Sequence, residues 1–490
     1  MEKIGSLFLD ILCTIFAVLV SSGLSRTLPL NSETSVLDIS AALSKTQELF
    51  LLNSKNVLPS KHQEHHRRSV GSPVSALSFQ VHSRMFVQGS PEKDYQALTL
   101  TRLARDSARV KAIQSRLDLA SSDTNMMPLE EEEEEEEKIK GPVISGTGLG
   151  SGEYFCRIGI GNPPTQAYMV LDTGSDINWV QCEPCADCYQ QSDPIFNPGV
   201  SSSFNPLTCE AEQCRSLELS ECRNDTCLYQ VSYGDGSYTV GDFVTETITF
   251  SDSAAVPNVA MGCGHNNEGL FIAASGLIGL GGGKLSLPSQ INASSFSYCL
   301  VDRDSDSSST LEFNSAPPAS TVFASLIRNS KLDTFYYLDI TGISVAGELL
   351  SIPASTFRLD ENGDGGMIVD SGTAITRLGT EAYNAMRDAF KKGTGNLKLI
   401  EGVALFDTCY DLSTLKSVEV PTVSFQFSNG KELQLPAKNY MIPVDSTGTF
   451  CFAFAPTSSS PGILGNVQQQ GTRVSYDLAN SQIGFKSNSC

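Results

Sequence analysis

The sequence predicts a mostly β protein built as two related lobes that face each other across a central cleft. Residues 141–490 are written in short alternating apolar runs separated by Gly- and Ser-rich turns, the period of half-buried strands. Two such runs flank Gly234-Asp235-Gly236, a strong hairpin signal. One stretch occurs twice: YMVLDTGSDINWV at 168–180 and GMIVDSGTAITRL at 366–378.

The elements follow in chain order. An apolar run at 11–20, after Lys3 and before Ser21, Ser22 and Gly23, predicts a secretory signal over residues 1–25. The run is short for a membrane span and Asp10 interrupts it, so cleavage near 22–26 is expected, and no stable membrane anchor. The chain stops at Cys490 without a hydrophobic tail, which gives no support to a C-terminal lipid anchor. Residues 26–140 read as a prosegment. Between Arg26 and Leu129 there are 13 Lys and Arg against 9 Asp and Glu, a net of +4. Arg102, Arg105, Arg109, Lys111 and Arg116 cluster there, with Leu103, Val110, Ile113 and Leu117 at near-helical spacing. The unbroken glutamate run 130–137 cannot pack and predicts a solvated linker. The first lobe is expected over 141–325, with a Cys-rich insertion at 182–227, and the second over 326–490. Strands are expected at 154–160, 168–172, 335–345, 418–427, 449–455 and 472–478. A helix is expected at 381–392, capped by Thr380, with Tyr383, Met386 and Phe390 on one face.

Composition excludes several function classes. The net charge of -21 repels phosphate backbones, so no nucleic-acid partner is expected. From residue 141 the sole histidine is His265, which leaves little for a histidine-dependent nucleophile or a histidine metal site. The 14 cysteines favour an oxidising compartment.

The repeat carries the chemistry. In each copy an apolar strand delivers an Asp, followed by a hydroxyl residue, a Gly and a second hydroxyl residue. Each copy also has a downstream mate, ASGLIGLG at 274–281 and SPGILGNV at 460–467. Two lobes related by a two-fold axis bring Asp172 and Asp370 into one cleft. Two close carboxylates cannot both ionise comfortably, so one keeps a proton and acid and base coexist. Ser175 and Thr373 can hydrogen-bond the outer carboxylate oxygens, and Gly174 and Gly372 let backbone approach. A single DTG or DSG could be only a turn-capping aspartate. Two copies in matching strand contexts carry far more weight.

On these motifs, residues 150–490 resemble the pepsin-like aspartic endopeptidases. The resemblance implies the bilobal fold of that family, with Asp172 and Asp370 as catalytic residues and no cofactor or metal. It implies that Thr173 and Ser371 lock the two loops across the dyad. Tyr233 and Gly234, in SYGDGS, match a flap that folds over substrate, and Trp179, the only Trp, matches the indole that steadies the flap tyrosine. The seven cysteines in 182–227 resemble the insertion of the plant nepenthesin-like subgroup, including the aspartic proteases of guard cells. That resemblance implies disulfides Cys182–Cys185, Cys188–Cys263, Cys209–Cys227, Cys214–Cys222, Cys299–Cys490 and Cys409–Cys451, a pairing that spacing alone does not select. A zinc site at Cys182, Cys185 and Cys188 is the competing reading, and Cys156 is left over as a buried thiol. Asp176 stands where pepsins usually carry Ser. Asn224 and Asn292 begin glycosylation sequons.

The resulting expectation is a monomeric zymogen of a secreted endopeptidase that cuts proteins or peptides at acidic pH and is inhibited by pepstatin. The extracellular space (cell wall or apoplast) is its expected destination, with the endoplasmic reticulum and vacuole as alternatives. The basic stretch 102–116 is expected to cover the acidic cleft, with activity rising below pH about 6 as carboxylates protonate. The mature chain is expected to begin between about Lys138 and Ser151, in the exposed link. Two other readings compete: an inactive binding relative, like the xylanase inhibitors, and a nucleic-acid-associated protease. Both Asp motifs are complete, which disfavours the first, and the acidic body disfavours the second.

Overall fold

The computed structural model describes residues 33–53, 77–88, 92–121 and 154–490, the last without 234–236, 251–253, 270, 272 and 305–306. The signal segment, the glutamate linker, Gly234 and the expected mature N-terminus lie outside the described residues.

The two halves repeat one supersecondary pattern. In the first, Thr165–Asp172 runs antiparallel to Tyr154–Ile160 and parallel to Gly276–Gly279, with Met169 opposite Gly276. In the second, Met367–Val369 runs parallel to Gly462–Leu464, with Met367 opposite Gly462. The downstream mates of the sequence repeat are therefore the parallel neighbours of the strands that deliver Asp172 and Asp370. Each mate also pairs antiparallel with the strand that follows its Asp loop, through Leu277 and Trp179 in one half and Ile463 and Arg377 in the other. The halves share a further sheet in which Ser295–Cys299 pairs with Thr472–Asp477.

Elements before the glutamate run are built into these sheets. Leu77–Ser83 pairs antiparallel with both Tyr154–Ile160 and Ser308–Phe313. Thr34–Asp38 pairs with Ser417–Pro421 of the second half. The helix Tyr95–Ser121 then follows. Its buried residues include Leu98, Arg102, Asp106, Arg109, Ile113 and Leu117, at spacings of three or four that place them on one face. Arg102, Asp106 and Arg109 interrupt that face with charge, which is why its hydrophobic signal is weak.

Several expected elements need correction. The strand expected at 335–345 divides at Asp339: Tyr337–Leu338 joins Val322–Ile327 and Met367–Val369, whereas Ile340–Val345 pairs with Val423–Phe427. The strand expected at 418–427 divides at Thr422 for a similar reason, since Ser417–Pro421 and Val423–Phe427 serve different partners. The stretch 449–455 likewise splits into Thr449–Phe452 and Phe454–Thr457. The helix Thr380–Gly393 buries Tyr383, Met386 and Phe390 as expected, but Gly379 is its N-cap and no side chain caps it. Thr380 instead lies inside the first turn and donates to the carbonyl of Thr457 at 3.1 Å. The lobe division at 325/326 falls within the strand Val322–Ile327, which pairs with Gln482–Ser487.

Four of the six expected disulfides are replaced. The structure joins Cys182–Cys263, Cys185–Cys188, Cys209–Cys222 and Cys214–Cys227, and agrees with Cys299–Cys490 and Cys409–Cys451. Backbone register explains the first exchange. Cys182 follows a strand lying parallel to the one that carries Cys263, which brings their Cα atoms to 5.3 Å. Cys185 and Cys188 are then left to each other within one loop. Cys222 and Cys227 oppose each other on a hairpin, and each reaches back to the segment before it. Cys156 is free and buried, and burial pushes its thiol up to about 12. Asn224 and Asn292 are exposed and both adopt positive φ, of 52° each. Among the described residues no helix is long and apolar enough to cross a membrane.

Candidate active site

Asp172 ends its strand and Asp370 directly follows its own, side by side at the junction of the halves, 1% and 0% exposed. Their surroundings obey the two-fold repeat. The Gly174 N–H donates to Asp172 Oδ1 at 2.9 Å and the Gly372 N–H to Asp370 Oδ1 at 3.0 Å. The Ser175 hydroxyl donates to Asp172 Oδ2 at 2.7 Å, and the Thr373 hydroxyl to Asp370 Oδ2 at 2.5 Å. Thr173 and Ser371 cross between the loops: the Ser371 N–H donates to Thr173 Oγ1 at 2.9 Å, and the Thr173 N–H to Ser371 Oγ at 3.1 Å. Each hydroxyl also reaches a carbonyl of the opposite strand, Val369 and Leu171. Buried polar groups satisfied this completely fix the carboxylates in place.

Tyr233, expected in the flap, follows the strand Thr226–Ser232, whose partner strand begins at Tyr238. Trp179, fully buried, donates its indole N–H to the Tyr233 hydroxyl at 2.8 Å. Phe271 packs edge-on against both rings, with centroids 5.0 Å and 5.2 Å away. Asp176 accepts from the Gly283 N–H at 2.9 Å and the Thr334 hydroxyl at 2.6 Å. Burial pushes its carboxyl up, against the pull of those bonds and of Arg116.

Between the two carboxylates sits Arg109, from the helix Tyr95–Ser121. Its Nη2 donates to Asp172 Oδ1 at 2.5 Å and to Asp370 Oδ1 at 2.9 Å. Its Nε donates to Asp370 Oδ2 at 2.9 Å. A Cβ on Gly174 would lie 2.6 Å from Nη2, so glycine there makes room for the guanidinium. Burial pushes the Asp172 carboxyl up, but Arg109 and the surrounding hydrogen bonds outweigh it and hold the group below the usual carboxylate range.

The same helix makes further charged contacts. Arg102 donates to Asp304 at 2.8 Å, and Tyr95 donates to Asp304 at 2.6 Å. Burial raises the Asp304 carboxyl, while Arg102, Arg303 and these bonds bring it below the ordinary value. Arg116 lies 4.0 Å from Asp176. Asp106 accepts from Arg377 and from the Ala374 and Ile375 N–H groups. The basic cluster was visible in the sequence, but Asp106 and Arg377 were not singled out. The signal for them was the spacing of 102, 106 and 109, and the charge standing at Arg377 where the first repeat carries Trp179.

The chain matches the family described as Xylanase inhibitor N-terminal over residues 154–314 and Xylanase inhibitor C-terminal over 335–487. It is 50% identical over 410 residues to Aspartyl protease family protein 2 of Arabidopsis thaliana, covering 82% of this chain and 83% of that protein. It is 47% identical to Protein ASPARTIC PROTEASE IN GUARD CELL 2 of Arabidopsis thaliana, over 79% of this chain and 82% of that protein. Aspartic proteinase nepenthesin-2 of Nepenthes gracilis is 43% identical over 70% of this chain and 78% of its own. The solved structure of edgp shares the fold, with a TM-score of 0.57 at 21% identity over 68% of this chain and 91% of that one.

Proposed function

This chain belongs to the plant aspartic proteases, the family that includes the nepenthesins and the guard-cell enzymes, and from that premise we propose that it is a secreted endopeptidase held in check by its own Arg109. It is an aspartic-type endopeptidase, and its substrates are proteins or peptides.

The reaction needs one polar atom in contact with both carboxylates, and Arg109 Nη2 marks that position. With the helix gone, a water there donates to Asp172 Oδ1 and Asp370 Oδ1. One carboxylate takes its proton as it attacks the peptide carbonyl, and the other, protonated, gives a proton to the carbonyl oxygen. The proton shared by the dyad then passes to the leaving nitrogen as the tetrahedral intermediate collapses. Ser175 and Thr373 orient the outer oxygens, and Thr173 and Ser371 keep the loops in register. Tyr233 closes over the substrate and excludes water. No step calls for a metal or a cofactor.

The observation that carries the zymogen reading is the seating of Arg109 between two fully hydrogen-bonded carboxylates. A guanidinium there occupies the water position and holds Asp172 ionised, so the dyad cannot bind the water it must activate. Export is supported by the apolar run at 11–20 and by six disulfides. We place the mature enzyme outside the cell, as a monomer sensitive to pepstatin.

Asp172→Asn and Asp370→Asn test the dyad. Each keeps the shape and removes the proton chemistry. Hydrolysis of a denatured protein at acidic pH is expected to fall by about 10³-fold or more in either variant. Substantial activity in both, after other proteases are excluded, would refute the assignment.

A further inference from the structure

The helix that blocks the dyad fills a second position beside it. Asp106 lies three residues before Arg109, which is about 4.5 Å along a helix. Its carboxylate is received by three donors of the second lobe. Arg377 Nη2 donates to Oδ2 at 2.6 Å, the Ile375 N–H to Oδ1 at 3.1 Å, and the Ala374 N–H to the same Oδ1. Arg377 is 5% exposed, and its Nη1 is tied to the Ile375 carbonyl at 2.8 Å, so the guanidinium is held in place by its own strand.

The internal repeat shows that this is a specific feature of the second lobe. Laid on each other, the two copies align Trp179 with Arg377, and the strand register agrees, because each pairs with the aliphatic residue of its downstream mate. The first lobe uses that position for an apolar ring that supports the flap. The second uses it for a buried cation. Asp176 of the first copy aligns with Ala374, whose small side chain leaves its N–H accessible to a ligand.

When the helix leaves, Arg377 Nη2 and the two N–H groups lose this carboxylate, and buried donors without a partner are costly. The ligand that restores all three bonds is another carboxylate. We propose that Arg377, with the N–H groups of Ala374 and Ile375, forms a substrate subsite for an acidic side chain, about one to three residues from the scissile bond at about 3.3 Å per extended residue. Asp106 is then a substrate-like occupant of that subsite in the precursor. The proposal rests on the proteolytic reading of the dyad and names a substrate preference for it.

The test uses the active enzyme obtained from the full-length chain and pairs of peptides that differ only by Asp against Asn, the pair being moved through each position flanking the cut. At pH about 5.5, where the Asp side chain is ionised, kcat/KM is expected to be on the order of tenfold higher for the acidic member at one position, mainly through KM. The ratio should shrink towards unity at pH about 3 as the side chain protonates. Arg377→Gln should abolish the ratio, and Arg377→Lys should retain part of it. Because the pH dependence of the ratio is read on wild type, a poorly folding variant does not remove the test. Equal cleavage of both members at every position, or a ratio that does not change with pH, would overturn the subsite and leave the protease intact. Failure to cleave any peptide would overturn the proteolytic reading together with the subsite.

Discussion

At the scale of single residues, the chemistry of the site is written twice. Asp172 and Asp370, with their hydroxyl and glycine neighbours, stand in matching strand contexts, and the structure gives the two copies matching hydrogen bonds. What the sequence left hidden depends on groups that meet only after folding. Arg109 was visible as one of several basic residues, but nothing local tells which of them reaches the dyad. The exchange among Cys182, Cys185, Cys188 and Cys263 has the same origin, since parallel register rather than spacing brings Cys182 to Cys263. Tyr233 offers a test at this scale. Its hydroxyl accepts from Trp179 and its ring packs on Phe271, directly after the strand Thr226–Ser232 whose partner begins at Tyr238. Tyr233→Ala is expected to lower kcat/KM by about 100-fold through loss of substrate positioning, with little change in thermal midpoint. Tyr233→Phe keeps the ring and should lose less. Equal kinetics for wild type and Tyr233→Ala on several peptides would remove the flap role.

At the scale of elements, the proposed zymogen makes the helix Tyr95–Ser121 the link between charge and activation. Its docking holds Asp172 and Asp304 below their ordinary value of 3.8, through Arg109 and Arg102. Carboxyls lowered in this way contribute stability that is fully present above about 4 and is lost as pH falls through the depressed values. Asp176, beside Arg116, acts with the opposite sign: burial raises it, so its contribution is present at low pH and lost as pH rises. Asp172 and Asp304 each receive a close ionic hydrogen bond from the helix, against the 4.0 Å approach to Asp176, so release on acidification is the net expectation. This places release near and below pH about 4, lower than the pH 6 expected from the sequence. Amide exchange across the helix, followed from pH 7 to pH 3 on the wild-type chain at exposure times too short for self-cleavage, measures it. Protection should be steady near neutrality and fall below about 4; protection that rises on acidification would reverse the sign assigned here. The helix register itself was partly legible, since the apolar positions were recognised, but its buried charged face has no hydrophobic period to detect.

At the scale of the whole molecule, the halves are joined by sheet and by disulfide. Ser295–Cys299 pairs with Thr472–Asp477, and Cys299 is bonded to Cys490, 191 residues away. Bonds that close long loops restrict the unfolded chain most, so Cys299→Ser with Cys490→Ser is expected to lower stability by about 2–5 kcal/mol. Denaturant unfolding of the double variant reads this directly, and unchanged stability would show that the sheet alone joins the halves. The two-lobe architecture could be read from the repeat, whereas the points where strands change sheets, at Asp339 and Thr422, could not. Each such strand is a continuous alternating run whose two ends find different neighbours.

The central claim is that Arg109 blocks a complete dyad, and the most direct measurement is the initial rate of peptide hydrolysis by the full-length chain from pH 7 to pH 3, for wild type and Arg109→Gln. Wild type is expected to be silent near neutrality and to become active near and below pH about 4. Arg109→Gln removes one partner of a buried charge network, which destabilises docking by about 3–5 kcal/mol. It should therefore already be active at pH about 5, where one carboxyl of an emptied dyad can keep its proton. Wild type as active at pH 7 as at pH 4, or a variant whose profile overlays wild type, would contradict it.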